Sequence, residues 1–108
     1  MGKIINKIII EDINELIREH KYIITLHSKK RMDERGVSSA DLITFIMNGD
    51  IIEEYPDSEP CPSALILGTV ADCHCHAVVA VCKNHARIIT VYWPDEEKWI
   101  DHKTRKSN

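Results

Sequence analysis

The chain changes rhythm once, at Asn48-Gly49, and that change limits what it can fold into. Before it, apolar residues recur every three to four positions. Ile9, Ile13, Leu16 and Ile17, with His20, follow a helical period, as do Leu42, Ile43, Ile46 and Met47. After it come four short runs rich in β-branched residues: Asp50–Tyr55, Ser63–Val70, Cys75–Lys83 and Ala86–Trp93. Turn formers separate them at Pro56-Asp57-Ser58-Glu59-Pro60, Ala71-Asp72 and Lys83-Asn84-His85. Gaps this short imply antiparallel hairpins. The expected architecture is α+β, with N-terminal helices packed on one face of a four-stranded antiparallel sheet. Pro94 ends the last strand, and Asp95–Lys106 reads as a short C-terminal helix or tail tethered by Trp99.

Local signals bound the helices. The first spans roughly Glu11–His20, and a charged second one, about Leu26–Arg35, stops at Gly36. Ser38 with Asp41 three residues later resembles a capping box for the third, which Asn48-Gly49 ends. At 108 residues and 44% hydrophobic content the chain fits one domain with one modest core. No apolar run approaches the roughly 20 residues of a membrane span. The start, Met1-Gly2-Lys3-Ile4-Ile5, does not read as a signal peptide, because Asn6 and Lys7 break the Ile run. Asn6 also stands where a myristoylation signal wants Ser or Thr. A cytoplasmic protein with no membrane partner is expected. Without a secretory signal, free thiols are the default for Cys61, Cys73, Cys75 and Cys82.

The charged helix carries the first chemical signal. His27, Arg31 and Arg35 stand at i, i+4 and i+8, so one face stacks an imidazole and two guanidiniums. Such a face suits an anion such as a phosphate or a carboxylate. The plainer reading is a solvated face with Lys30 and Glu34 as an i,i+4 pair, and spacing alone favours it. A net charge of −3 counts against a general nucleic-acid binder, although Lys29–Arg35 leaves room for a local basic site.

Strand alternation supplies the second signal. Ala77, Val79 and Val81 share a face, and His74, His76 and Cys82 share the other. On the next strand, Ile89 and Val91 fall together, opposite Thr90 and Tyr92. If the apolar sets meet the helices, the other face carries imidazoles, a hydroxyl and a phenol. A satisfied, partly buried histidine is the duller account of His76. Tyr92 and Trp99 suit base stacking or the lid of a small core.

Asp72-Cys73-His74-Cys75-His76, with Cys61, Cys82 and His85, contains zinc's preferred ligand types. The spacing argues against a zinc site, because alternation points the cysteines and histidines of a strand in opposite directions. No glycine-rich phosphate loop, nucleophile elbow or His-Glu-x-x-His occurs, and four glycines leave little for a nucleotide cradle. No metal and no cofactor is expected.

Several short motifs, in order, carry a family resemblance. They are His27-x3-Arg31-Met32-x-Glu34-Arg35-Gly36-Val37, then Asn48-Gly49-x-Ile51-Ile52-Glu53-x-Tyr55-Pro56, Pro60-x-Pro62-Ser63 and Leu67-Gly68. His76-x-Val78-Val79-Ala80 and Thr90-Val91-Tyr92-x-Pro94-x4-Trp99 complete the set. Together, from about Leu26 to Arg105, they resemble the bacterial domain-of-unknown-function family four-two-five-eight. That family is similar to the RelE-like and MqsR-like ribonuclease toxins of the Barnase–EndoU–colicin–RelE fold. The family more often has a basic, proline-containing segment where this chain has Asp72-Cys73-His74-Cys75.

The resemblance implies a single RelE-like toxin-type domain over residues 1–108. It implies the toxin of a type II toxin–antitoxin pair, an endoribonuclease working by general acid/base catalysis without metal. His27 and His76 are then the proton-transfer groups, and Arg31 and Arg35 stabilise the phosphorane. Tyr92 stacks a base or donates a proton. Lys30, His74, Thr90, Trp99 and Arg105 are the expected substrate-binding residues. The partners implied are RNA and a cognate antitoxin, zinc-finger type among the options, with a homodimer also open. Two other readings stay open: a non-catalytic protein- or RNA-binding module of the same fold, and a small Cys/His metal-binding regulator.

Overall fold

The computed structural model describes residues 10–70 and 72–93, and the backbone at 99–100 and 104–105. Helix α1 (Ile10–Arg18) leads into a short strand β1 (Tyr22–Ile24), followed by α2 (Leu26–Arg35) and α3 (Ser39–Met47). Strands β2 (Asp50–Tyr55), β3 (Ser63–Val70), β4 (Cys73–Val81) and β5 (Ala86–Tyr92) follow.

The helix ends are set by local chemistry. Thr25 caps α2, its hydroxyl oxygen accepting the Ser28 N–H at 3.1 Å. Gly36 leaves the helix with φ 69°, a left-handed conformation that suits glycine. The Gly36 and Val37 amides then donate to the Asp33 and Met32 carbonyls, which closes α2. Ser38 and Asp41 form the reciprocal capping box of α3.

The sheet corrects the sequence-based expectation. It is five-stranded and mixed, in the order β1-β5-β4-β3-β2, not four-stranded and antiparallel. β2 through β5 form the antiparallel meander, and β1 adds at the open side of β5 in parallel, Tyr22 opposite Ala86 and Ile24 opposite Ile88. Three residues are too few to display a period of two, and the partner strand lies far along the sequence. The expected terminal helix or tail is also corrected. β6 (Trp99–Ile100) and β7 (Thr104–Arg105) form a separate antiparallel ribbon.

One sheet face meets the helices. Ile13 and Ile17 of α1, Met32 of α2, and Leu42, Phe45 and Ile46 of α3 pack against Ala64, Ile66, Cys75, Ala77, Val79, Ile88 and Val91. The charged α2 contributes just Met32 and the hydroxyl of Ser28 to the interior. The opposite face is not an open polar surface. β3 is buried at every position from Ser63 to Leu67, so Leu65 and Leu67 on that second face are covered as well.

Two bulges reset strand parity. The β4–β5 register skips Ile89, pairing Val78 with Thr90 and Val79 with Ile88. Val91 therefore shares its face with Ile88, and the expected Ile89–Val91 pairing is overturned. The β2–β3 register skips Ile52 in the same way.

Cys61 and Cys82 form a disulfide, so the free-thiol expectation fails for that pair and holds for Cys73 and Cys75. The register explains it: Ser63 pairs with Ala80, and the Val81 amide donates to the Pro62 carbonyl at 2.8 Å. One step further out, the Cys61 and Cys82 Cα atoms are 5.2 Å apart. Among the described residues, no helix is long and apolar enough to cross a membrane.

Candidate functional site

The second sheet face carries Glu53, Tyr55, His74, His76, Arg87 and Tyr92. Directly paired residues project to the same side, and the register aligns Leu67, His76 and Tyr92 in one row. The next row holds Glu53, Leu65, Val78 and Thr90, and the one beyond it Tyr55, Ser63, Ala80 and Arg87. On the other side of His76, Thr69 pairs with His74.

His76 is fully buried and bonds Tyr92: its Nδ1 lies 3.2 Å from the phenol oxygen, with the rings edge to face at 5.1 Å. Tyr92 itself is half-buried. Thr90 stands two residues back on the same face, and His27 Nε2 lies 3.0 Å from its hydroxyl. The β5 bulge sets up this contact. The Thr25 amide and the Ser28 hydroxyl donate to the Ile88 carbonyl, and the Thr25 hydroxyl donates to the Ile89 carbonyl at 3.0 Å. The first turn of α2 is thereby fixed to the bulge, and His27 reaches round the strand edge.

The basic stripe then runs beside β5. His27 to Arg35 rises about 12 Å along a helix, close to the ~10 Å that three strand residues span. Accordingly, His27 meets Thr90 at one end, and the Arg35 guanidinium stacks 4.5 Å above the Trp93 ring at the other. Arg31 lies between them, its Nε 3.8 Å from Glu34 Oε1. Arg35 also acts on the helix side of the sheet. Burial pushes the Cys75 thiol up to about 12, and the Arg35 charge pulls against that rise.

The remaining expected residues scatter. Lys30 is exposed and lines a shallow groove with Leu26, Lys29, Asp33 and Glu34. His74 is exposed and lines a cleft of about 350 Å³ with Thr44, Phe45, Asn48, Asp50, Leu67, Gly68 and Thr69. Trp99 and Arg105 face each other in the terminal ribbon, and their side chains lie outside the described residues. Among the described residues, no three His, Cys, Asp or Glu side chains gather to hold a metal. Cys61 and Cys82, part of the sequence's Cys/His set, are bonded to each other.

Three residues on this face were missed: Glu53, Tyr55 and Arg87. Tyr55 donates its hydroxyl to Glu53. Simple alternation assigns Arg87 to the face of Val91, and the skipped Ile89 moves it beside Thr90 and Tyr92. The motif Ile51-Ile52-Glu53-x-Tyr55 was the available signal for the other two.

Residues 24–93 match the family described as a domain of unknown function (DUF4258). That is well over half of the 108 residues, and the chain belongs to this family. The match runs from the end of β1 through Trp93 and stops short of Trp99 and Arg105. No curated protein and no solved structure matches the chain.

Proposed function

We propose that this DUF4258 domain is the toxin of a type II toxin–antitoxin pair, a RelE-like, metal-independent endoribonuclease acting in the cytoplasm. The observation that carries the reading is the convergence on β5. His27 on Thr90 and His76 on Tyr92 bring two separate histidines to adjacent positions of one sheet face. Arg31 follows on the same helix.

Metal-free RNA cleavage needs a base for the 2′-hydroxyl, cations for the phosphorane and an acid for the 5′-oxygen. His27 is exposed and takes the base role. Arg31 presents a guanidinium fork to the phosphate oxygens. Arg35 adds charge from its place over Trp93. Tyr92 is the acid or a stacking platform. His76, at 0% exposure, touches no substrate and acts as a positioning residue through the Tyr92 hydroxyl.

The test is expression alone and with the neighbouring gene product, together with cleavage of RNA in the presence of a chelator. Growth arrest and chelator-resistant cleavage are expected. His27→Ala should lose about 10²–10⁴-fold in rate, the usual range for a positioned proton-transfer group; Tyr92→Phe should lose as much where the phenol is the acid and little where its ring only stacks. His76→Asn, which keeps a donor near the Nδ1 position, should retain more activity than His76→Leu and shift the pH–rate profile. Full activity in the His27→Ala and Arg31→Ala variants sinks the assignment. The complete burial of His76 also favours a second reading, a non-catalytic module that binds its partner without cutting RNA. Tight binding of the neighbouring gene product with no effect on growth selects it.

A further inference from the structure

The bulge in β5 leaves one cation of this face without a counter-charge among the described residues. Arg87 pairs with Ala80 of β4 on one side and with Ile23 of β1 on the other. It is half-buried. The ion pairs among the described residues join Lys21 to Glu19 and Arg31 to Glu34, and neither includes Arg87. Its cross-strand neighbours are a buried alanine and an isoleucine, not carboxylates. A guanidinium keeps its charge at any ordinary pH. Partial burial of such a charge without a partner costs free energy, which an incoming anion recovers.

The position of Arg87 says which anion fits. The register sets Arg87, Thr90 and Tyr92 opposite Ala80, Val78 and His76, three successive alternations of β4. All three therefore project to one face, in rows about 7 Å apart along the strand. The middle row carries His27 on Thr90, and the third carries His76 on Tyr92. A cation one row from the proposed cleavage centre suits a chain of anions with a short, regular repeat. An extended RNA strand is such a chain, with one phosphate per nucleotide. Guanidinium forks match phosphate oxygens. Ile23, beside Arg87, is a large apolar side chain left 46% exposed. It offers the ribose or base attached to that phosphate an apolar surface to lie on.

We infer that Arg87 binds the phosphate next to the one that is cleaved, with Ile23 against its nucleotide, so that the RNA strand lies along β5. The inference rests on the ribonuclease reading, both for RNA as the ligand and for the Thr90 and Tyr92 rows as the cleavage centre. A carboxylate of a protein partner is the competing anion. The evenly spaced rows favour the repeating polyanion, because a single carboxylate engages Arg87 without using the rows beside it.

The test is equilibrium binding of a short single-stranded 2′-fluoro RNA, which lacks the attacking hydroxyl, to the full chain over a range of salt. Each phosphate neutralised on a single strand adds about 0.7 to the slope of log affinity against log salt. Arg87→Gln should lower the slope by about 0.7 and weaken binding equally for all base sequences. Arg87→Lys keeps the charge and should keep the slope, which separates a lost contact from a lost fold. Arg18→Gln removes an exposed cation of α1 and should change neither slope nor affinity. A second measurement uses 2′-fluoro dinucleotides with and without a terminal phosphate at each end. A phosphate at one end should tighten binding to the parent about tenfold, the effect of a hydrogen bond to a charged group. Arg87→Gln should lose that gain. An unchanged slope in Arg87→Gln, or a terminal-phosphate gain that survives in it, overturns the inference. So does loss of the neighbouring gene product from Arg87→Gln with the slope intact, which assigns the guanidinium to a protein carboxylate. Because binding is read, the two readings separate. A slope that falls in Arg87→Gln with no RNA cleavage by the parent upholds the phosphate site and sinks the nuclease; cleavage with an unchanged slope does the reverse.

Discussion

Gly68→Ala is the sharpest test of how the α3–β3 contact is packed. Gly68 pairs with Cys75 on the helix-facing side of β3, directly under Phe45. A methyl built on it overlaps the Phe45 ring edge and comes 2.8 Å from the Phe45 carbonyl oxygen and 2.9 Å from Cε1. Ordinary carbon contacts are about 3.5–4.0 Å, so helix and strand must part by at least ~0.6 Å. Phe45 cannot swing aside cheaply, because it is 2% exposed and held among core side chains. A gap of about 0.5–1 Å forfeits a quarter to a half of each dispersion contact around it. Overpacking of this kind costs roughly 1–3 kcal/mol, and the backbone contact places this case near the top of that range. Replacing glycine recovers about 0.4–1 kcal/mol by stiffening the unfolded chain. The net loss is about 2 kcal/mol by these ranges. With a urea slope of about 1–3 kcal/mol per molar, the midpoint should fall by about 1 M. The assay is urea unfolding followed by circular dichroism, with Phe45→Leu and the double variant alongside. Phe45→Leu should relieve part of the penalty, so the double variant should be less unstable than the two singles summed. A midpoint within about 0.2 M of the parent, or strict additivity, refutes the packing argument.

Three further outcomes follow from the cysteines. Removing the Cys61–Cys82 cross-link, which closes a 21-residue separation, should cost about 3 kcal/mol. A thermal melt of Cys61→Ser/Cys82→Ser should then fall by on the order of 10 °C; an unchanged melt in the variant and in reductant rules the staple out. Cys73 is exposed and Cys75 buried, so one thiol per native chain should react with a thiol reagent at pH 8 and two after unfolding. Cys75 also sets a pH dependence. Its folded pKa stands above the ordinary 9.0, at about 12, so its contribution to stability is fully present below pH 9. That contribution is lost as pH rises from 9.0 towards about 12, because the unfolded chain sheds the proton first. Stability rising over that interval contradicts the burial of the thiol.

The parts of the fold written in local chemistry were legible. Leu26–Arg35 is the helix its Gly36 stop implies, and Ser38 with Asp41 makes the expected capping box. Asp50–Tyr55 and Ser63–Val70 are strands at the limits their turn residues set. What failed depends on residues far apart. β1 is three residues whose partner lies 64 positions on. The Ile89 bulge changes no residue type, yet it reverses the face of everything before it on β5. The site was half legible for the same reason. Spacing placed His27 and Arg31 on one helix face, and parity placed His76 with Tyr92. Arg87 lies on the far side of the bulge, where parity misleads. The disulfide needed a register that no local pattern supplies.

The parallel seam between β1 and β5 has a consequence in time. A chain emerging from the ribosome makes β1 and α2 early and β5 late. Until Ala86–Tyr92 exists, Tyr22–Ile24 has no sheet partner, and the N-terminal turn of α2 has no bulge carbonyls to hold it. Contacts across so long a loop close late, after the local hairpins and helices. His27 therefore meets Thr90, and His76 meets Tyr92, only once synthesis has passed β5. An incomplete chain can hold every described helix and still lack the proposed site.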